Sequence, residues 1–309
     1  MLNQALGRWL LPGPVYRVPH RLTWPQLREQ VRAQVPLLSA PQPGMPGLCA
    51  VCRGPAGRGC ACCFQCDLHR QCAPDSLAAT VVPVAFAVKG GPHALNLWQY
   101  KSERLRHVPA EPAVPAVAGP AGLDGARAAE PERAGADGLD RARAAAQPDR
   151  RAVADAAAGT LLALLLVFLR DHGACVWRSA GITGPTHLAV VPTARSRPGV
   201  HPLRALIAPY LHCQWAELWS LPGGHPVRDL DPARFGAAPV PDARVLLLDD
   251  TWTTGSTAQS AAMALRRSGA RSVAIVVLGR HVSGAGEVDP AAMPFRPESC
   301  AVHDDGRVR

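Results

Sequence analysis

The sequence is poor in aromatic residues, which make up 5% of its 309 positions. Flat stacking surfaces are scarce, and Trp177, Trp215 and Trp219 are expected to pack rather than to stack on bases. The N-terminus, residues 1–21, has no continuous apolar stretch of signal-peptide length and no small-residue cleavage site. A cytoplasmic protein is therefore expected. No membrane segment is expected either. The longest apolar stretch, Val153–Leu169, contains Asp155 and Thr160. It falls short of the ~20 residues that span a bilayer, so it reads as a buried helix.

Apolar residues make up 48%, close to an ordinary globular composition and enough for a sizeable core. The formal net charge is +9. That balance suits phosphate-rich ligands or nucleic acid and says nothing about fold. Of ten cysteines, seven fall between Cys49 and Cys72. In a reducing compartment such clustering favours metal over disulfides.

Along the chain, Trp24 to Val35 reads as a short helix with Pro25 near its first position, stopped by Pro36. Thr80–Val88 reads as a strand closed by the Lys89–Pro92 turn, followed by a helical stretch around Leu95–Tyr100. From Arg106 to Arg151 the composition collapses to Ala, Pro, Gly, Arg, Asp and Glu. This segment is expected to be a flexible insertion, with transient helix near Leu139–Ala146, because it buries too little apolar surface to offset ordering. Then helix Val153–Leu169, strand His187–Val191, helix Pro202–Tyr210, strand Arg244–Leu248, helix Ser256–Ser268 and strand Ser272–Leu278 alternate. Continuous apolar strands alternating with helices predict an α/β fold, a parallel sheet with helices on both faces. Ligands are expected at the carboxyl ends of its strands.

The segment Val245–Thr257, VLLLDDTWTTGST, carries the chemistry. An apolar strand ends in Asp249 and Asp250, and a turn of small residues leads straight into a helix. Such a helix start offers unpaired N–H groups and a positive dipole end to a phosphate. Thr251, Thr253, Thr254, Ser256 and Thr257 add hydroxyls, and Gly255 lets the backbone approach closely. Two carboxylates would repel a bare phosphate but suit ribose hydroxyls, with a divalent cation nearby. The segment has neither the lysine of a P-loop nor a G-x-G-x-x-G.

DDTWTTGST resembles the phosphoribosyl-pyrophosphate signature of type I phosphoribosyltransferases. The resemblance implies that Asp249 and Asp250, the candidate catalytic pair, hold the ribose 2′- and 3′-hydroxyls. It places the 5′-phosphate on the turn from Thr253 to Thr257, with Thr251 just before it. Trp252 departs from the family, where a smaller residue is usual, and is expected to narrow the mouth of the site. Upstream, Pro192 to Arg197 after strand His187–Val191 resembles the family's pyrophosphate loop. Thr193, Ala194, Arg195 and Arg197 are its candidates, since a guanidinium pairs phosphate oxygens bidentately.

Cys49-x-x-Cys52 and Cys63-x-x-Cys66 supply four thiolates, enough for a closed structural zinc site. Cys60, Cys62, Cys72 and His69 are further candidates, and Cys60/Cys63 also has CxxC spacing, so the choice of four stays open. Such a site would hold together a segment too small to fold on its own core. A zinc knuckle, a strand, Tyr100-Lys101 and a phosphoribosyl-type domain together resemble the ComF family of phosphoribosyltransferase-like proteins, especially its high-GC bacterial members. That family is linked to DNA uptake in competence.

With this resemblance, the chain divides into six parts. These are a lead-in (1–45), a zinc knuckle (46–75), a strand/helix hood segment (76–105), the insertion (106–151), a phosphoribosyltransferase-type domain (152–285) and a tail (286–309). Lys101 reads as the end of a surface helix. Arg228 and Arg234 fall where the family carries a mobile hood, beside Leu221–Gly224. His187 is expected to be half-exposed.

The expected activity is pentosyl transfer from 5-phosphoribosyl pyrophosphate with Mg2+ to an unidentified acceptor, with structural Zn2+ in the knuckle. The competing expectation is a protein that senses the donor or a nucleotide and reports through a partner protein. It is motivated by the lack of any base-recognition signature. Nucleic acid is a weaker partner, because the knuckle shows no alternating basic and aromatic surface.

Overall fold

The computed structural model describes residues 22–57, 59–102, 150–193, 201–222, 228–284 and 289–302. Residues 106–149 of the expected insertion, with its transient helix, lie outside them, as do residues 1–21, Ala194, Arg195, Arg197 and Gly223–Gly224, whereas Arg150 and Arg151, expected in the insertion, are helical.

The described chain runs α1 (Trp24–Gln34), α2 (Phe64–Cys72), β1 (Thr80–Val88), α3 (Pro92–Ser102), α4 (Arg150–Ser179), β2 (His187–Val190) and α5 (Pro202–Ile207). After these come β3 (Gln214–Trp215), β4 (Leu218–Ser220), β5 (Phe235–Ala237), β6 (Arg244–Trp252), α6 (Ser256–Arg267) and β7 (Ser272–Val282). Five strands form one sheet in the order β1-β7-β6-β2-β3, and every pairing in it is parallel. β4 and β5 form a separate antiparallel pair.

A parallel sheet must be covered on both faces, and here it is. Alternate residues of the central strands divide between two clusters. Leu246 and Leu248 of β6 join Ala274, Val276 and Leu278 of β7 in a cluster with α1, α3, α4 and α5. Val245 and Leu247 join Val273, Ile275 and Val277 in a second cluster with α6 and the buried cysteines of the knuckle. The fold is thus α/β, with helices on one face and a helix plus a cysteine-rich wall on the other.

Several elements run beyond their expected ends. β6 continues to Trp252, so Asp249 and Asp250 lie within the paired strand: Asp249 registers with Val277 and Thr251 with Gly279. β7 continues to Val282. α4 has 30 residues, enough in length and apolarity to cross a membrane, but 67% of its apolar window is buried inside the fold. Its run from Leu161 to Leu169 is buried at every position, because α1 and α3 cover one side and the sheet the other.

Leu246, 2% exposed beneath the end of β6, gauges this packing. Leu246→Ala is expected to cost about 3 kcal/mol in urea unfolding, from lost burial plus the cavity left behind. A loss under about 1 kcal/mol would contradict the packed helix–sheet face.

Candidate functional site

The order of the sheet marks one place on it. The chain leaves β2 outward toward β3, while from β6 it moves the other way toward β7. The crevice between the carboxyl ends of β2 and β6 is therefore a topological switch point, where open α/β sheets bind ligands. Val190 registers with Leu248. Residues 191–193 thus leave the sheet beside Asp249, and they and the turn that follows β6 flank that crevice.

Adjacent residues in a strand point to opposite faces, and this separates the two acids. Asp250 points to the face of α3 and is buried. Its Oδ2 accepts from the Tyr100 hydroxyl at 2.5 Å, and its Oδ1 pairs with the Lys101 ammonium at 2.6 Å. Despite burial, the lysine charge and these hydrogen bonds hold the Asp250 carboxyl below its usual range. Lys101 is therefore no surface lysine: it reaches across from α3 to neutralise Asp250. His201, the N-cap of α5, stands close enough to feel both charges. Burial, with Lys101 adding to it against Asp250, lowers its pKa to about 4, so it is a neutral imidazole.

Asp249, on the α6 side, forms no ion pair among the described residues, and the Lys101 charge opposes the rise of its pKa only in part. Its Oδ1 accepts the backbone N–H of Asp250 at 2.9 Å. Burial first and the neighbouring Asp250 charge second raise its pKa to about 7. A carboxyl poised near neutrality at the edge of a crevice is a candidate proton or cation acceptor.

Beyond β6 the chain turns at Gly255, whose φ of +84° is left-handed. Glycine is required there twice over, since a Cβ would also lie 2.0 Å from the Trp252 ring. Trp252 does not narrow the mouth. It is 1% exposed and packs into the α6-face cluster under the turn. The turn delivers the chain into the 12-residue α6, whose first-turn N–H groups have no acceptor within the helix. Thr253 is exposed, and Thr254 and Thr257 are half-buried. Ser256 faces inward: its hydroxyl donates to the Arg228 carbonyl at 2.5 Å. Of the hood residues, Arg228 thus meets the turn through its backbone, while Arg234 is buried against Phe235.

The cysteine wall reaches this turn directly. Cys49, Cys52, Cys63 and Cys66 bring their sulfurs within 4.8 Å of one another. Cys52 Sγ and Cys63 Sγ are 3.8 Å apart. A tetrahedron built on Zn–S bonds of about 2.3 Å has edges of about that length. This quartet could hold a zinc ion. Cys60 is exposed and Cys62 faces Arg70, which leaves both outside it. Crowded thiols cannot all ionise alone: hydrogen bonds, first from Cys52, pull Cys49 down, while Cys66 is pushed up, first by Cys49. A divalent cation removes that conflict.

From the same segment, His69 on α2 is buried and sits 3.2 Å from Ser256 Oγ and 2.9 Å from Gln65. Arg280, at the end of β7, lies against Gly54 of the knuckle, where any Cβ would collide with its guanidinium. Its Nη1 donates to the carbonyls of Trp252, Thr253 and His281 at 3.2, 2.9 and 2.6 Å. His201 and Arg280 were invisible as site residues in the sequence, since neither sits in a motif. Tyr100 marked only the order of elements there, and His69 only a spare metal ligand.

No family model matches the sequence, and no curated protein matches it. Among solved structures, a hypoxanthine phosphoribosyltransferase from Staphylococcus aureus aligns with 36% of this chain and 68% of its own, at 16% identity. The TM-score is 0.24, too low for the likeness to carry fold or activity across.

The state of Asp249 has a consequence for stability. Its pKa rises from 3.8 to about 7 on folding, so its contribution is fully present below pH 3.8 and is lost as pH rises through 7. Asp249→Asn is expected to raise the Tm over the parent, by a margin that widens between pH 5 and pH 8. Thermal unfolding at both values checks this, and a margin that shrinks with pH contradicts it.

Proposed function

We propose that this protein is a ComF-type phosphoribosyltransferase-like protein that binds 5-phosphoribosyl pyrophosphate at the β2/β6 crevice and transfers its phosphoribosyl group. The observation that carries the reading is the placement of the Asp-Asp-Thr-Trp-Thr-Thr-Gly turn. It lies at the switch point of a parallel sheet, with a left-handed glycine feeding a helix N-terminus. In this reading Asp249 accepts from the ribose hydroxyls. The 5′-phosphate lies on the first-turn N–H groups of α6 and the hydroxyls of Thr253, Thr254 and Thr257. Thr193, Ala194, Arg195 and Arg197 face the pyrophosphate. Asp250 instead anchors Lys101 and Tyr100 at the floor of the site.

Transfer breaks the anomeric C–O bond to pyrophosphate while an acceptor lone pair forms the new bond. The chain's share is to fix the ribose, cradle both phosphate ends and keep Asp249 available as an oxygen donor or proton acceptor. Asp249 is a hard oxygen donor whose lone charge is resisted, which suits Mg2+. The cation, when bound with the donor, neutralises the departing charge. Zinc in the quartet is structural, since four thiolates close its coordination.

Calorimetry with the donor sugar and Mg2+ tests the site. The parent is expected to bind, and Asp249→Asn to bind at least about tenfold more weakly. Equal affinity refutes the assignment. Pyrophosphate release on screening nucleobases and amines then separates transfer from sensing.

The contact between knuckle and turn makes a second prediction. Stripping zinc frees α2 and, with it, the His69–Ser256 contact. Donor affinity is expected to fall by about tenfold, the worth of one buried hydrogen bond. His69→Ala in the zinc-loaded protein should weaken binding in the same direction. Full donor affinity in both cases would show that the knuckle does not support the turn.

A further inference from the structure

Far along α4 from the crevice, His172 and Cys175 stand three residues apart, a spacing that puts them on one face of a helix. The C-terminal segment brings Cys300 to the same face. One ligand atom from each of the three lies within 4.8 Å of the others. His172 and Cys300 are buried, and Cys175 is half-buried.

The surroundings of these residues are those of ligands. His172 Nε2 lies 3.0 Å from the Pro297 carbonyl oxygen. A carbonyl only accepts, so Nε2 carries the proton and donates, and in the neutral ring Nδ1 is the nitrogen with a lone pair to give. A second ring nitrogen donated to a backbone carbonyl is the usual support of a ligating histidine. Cys300 Sγ in turn accepts the N–H of Val302 at 3.4 Å. His172 and Cys300 also line a cleft whose other walls include Val31, Val84, Phe168 and Phe295.

We propose that His172, Cys175 and Cys300 form a second metal site, separate from the cysteine quartet, for a zinc-class ion with one coordination position open to the cleft. One imidazole and two thiolates are borderline-to-soft donors, which select zinc over magnesium or calcium. Three protein ligands leave room for a water or a small anionic ligand, as in reactive zinc sites and unlike the closed quartet. Each thiol gives its proton to solvent as it binds the ion, with no change in oxidation state. The ion also fastens the C-terminal segment to α4. That segment is also held by the Pro297 contact, by Phe295 in the core, by the backbone bridge between Pro294 and Ser39 and by the Arg53 side chain on the Val302 carbonyl. Nothing in this site depends on the proposed reaction at the β6 turn.

The test counts tightly held ions on the full chain kept reduced. Zinc is measured after dialysis, cobalt(II) is added, and the two are summed with the thiolate-to-cobalt absorption recorded. The parent is expected to hold two ions per chain and Cys175→Ala one. His172→Gln should hold the second at least about tenfold more weakly. Cys175 is half-buried, so its replacement leaves the fold intact, and circular dichroism confirms this alongside. A parent that holds a single ion overturns the proposal. So does a Cys175→Ala protein that holds as many ions as the parent with an unchanged cobalt spectrum.

Discussion

The site is governed by one constraint: an apolar central strand ends in two adjacent carboxylates, and the fold must accommodate both without burying two unpaired charges. Strand geometry separates them, because neighbours on β6 face opposite sides of the sheet. Asp250 goes to the α3 face, where Tyr100 and Lys101 meet it and keep it ionised. Asp249 goes to the α6 face, where no described residue forms an ion pair with it, and its charge is resisted by burial and by the Asp250 charge. A buried charge without a partner is costly, so the protein neutralises Asp250 within its own structure, while the half-buried Asp249 is held with its pKa raised. Functional sites commonly trade stability for chemistry in this way.

The cysteine-rich segment then acquires a meaning beyond its own folding. It lies over the second face of the sheet, where its buried cysteines pack with Val245, Leu247 and the alanines of α6. A parallel sheet left bare on that side would expose apolar strands, so the wall completes the core. It also meets the turn at two points. Arg280 is wedged between Gly54 and the carbonyls of Trp252 and Thr253, and His69 meets Ser256 at the start of α6. The backbone of the turn is therefore held from beneath by β7 and from the side by the knuckle.

Local sequence was enough for the elements built on local rules. Thr80–Val88 forms the expected strand, because a β-branched apolar run closed by Gly-Gly-Pro leaves little choice. Gly255 was legible as a turn residue, though its clash with Trp252 was not. The ends of β6 and β7 differ from expectation for a physical reason: Asp249 through Trp252 are not an apolar run, and only pairing with β7 keeps them extended. Lys101 and Trp252 differ on similar grounds. A lysine ending a helix and a tryptophan in a loop look exposed until a carboxylate or an apolar cluster is brought to them.

By itself, the sequence determined the α/β class, the turn at Gly255 and the reservoir of clustered thiols, since periodicity, backbone sterics and CxxC spacing are properties of neighbours along the chain. The tertiary structure alone decided which four cysteines converge, which acid is neutralised and which is left poised. It also brought Tyr100, His201, Arg280 and His69 to the end of β6. Those outcomes depend on strand order and on contacts between residues remote in sequence, such as Arg53 and Val302, 249 positions apart, and no local pattern encodes them.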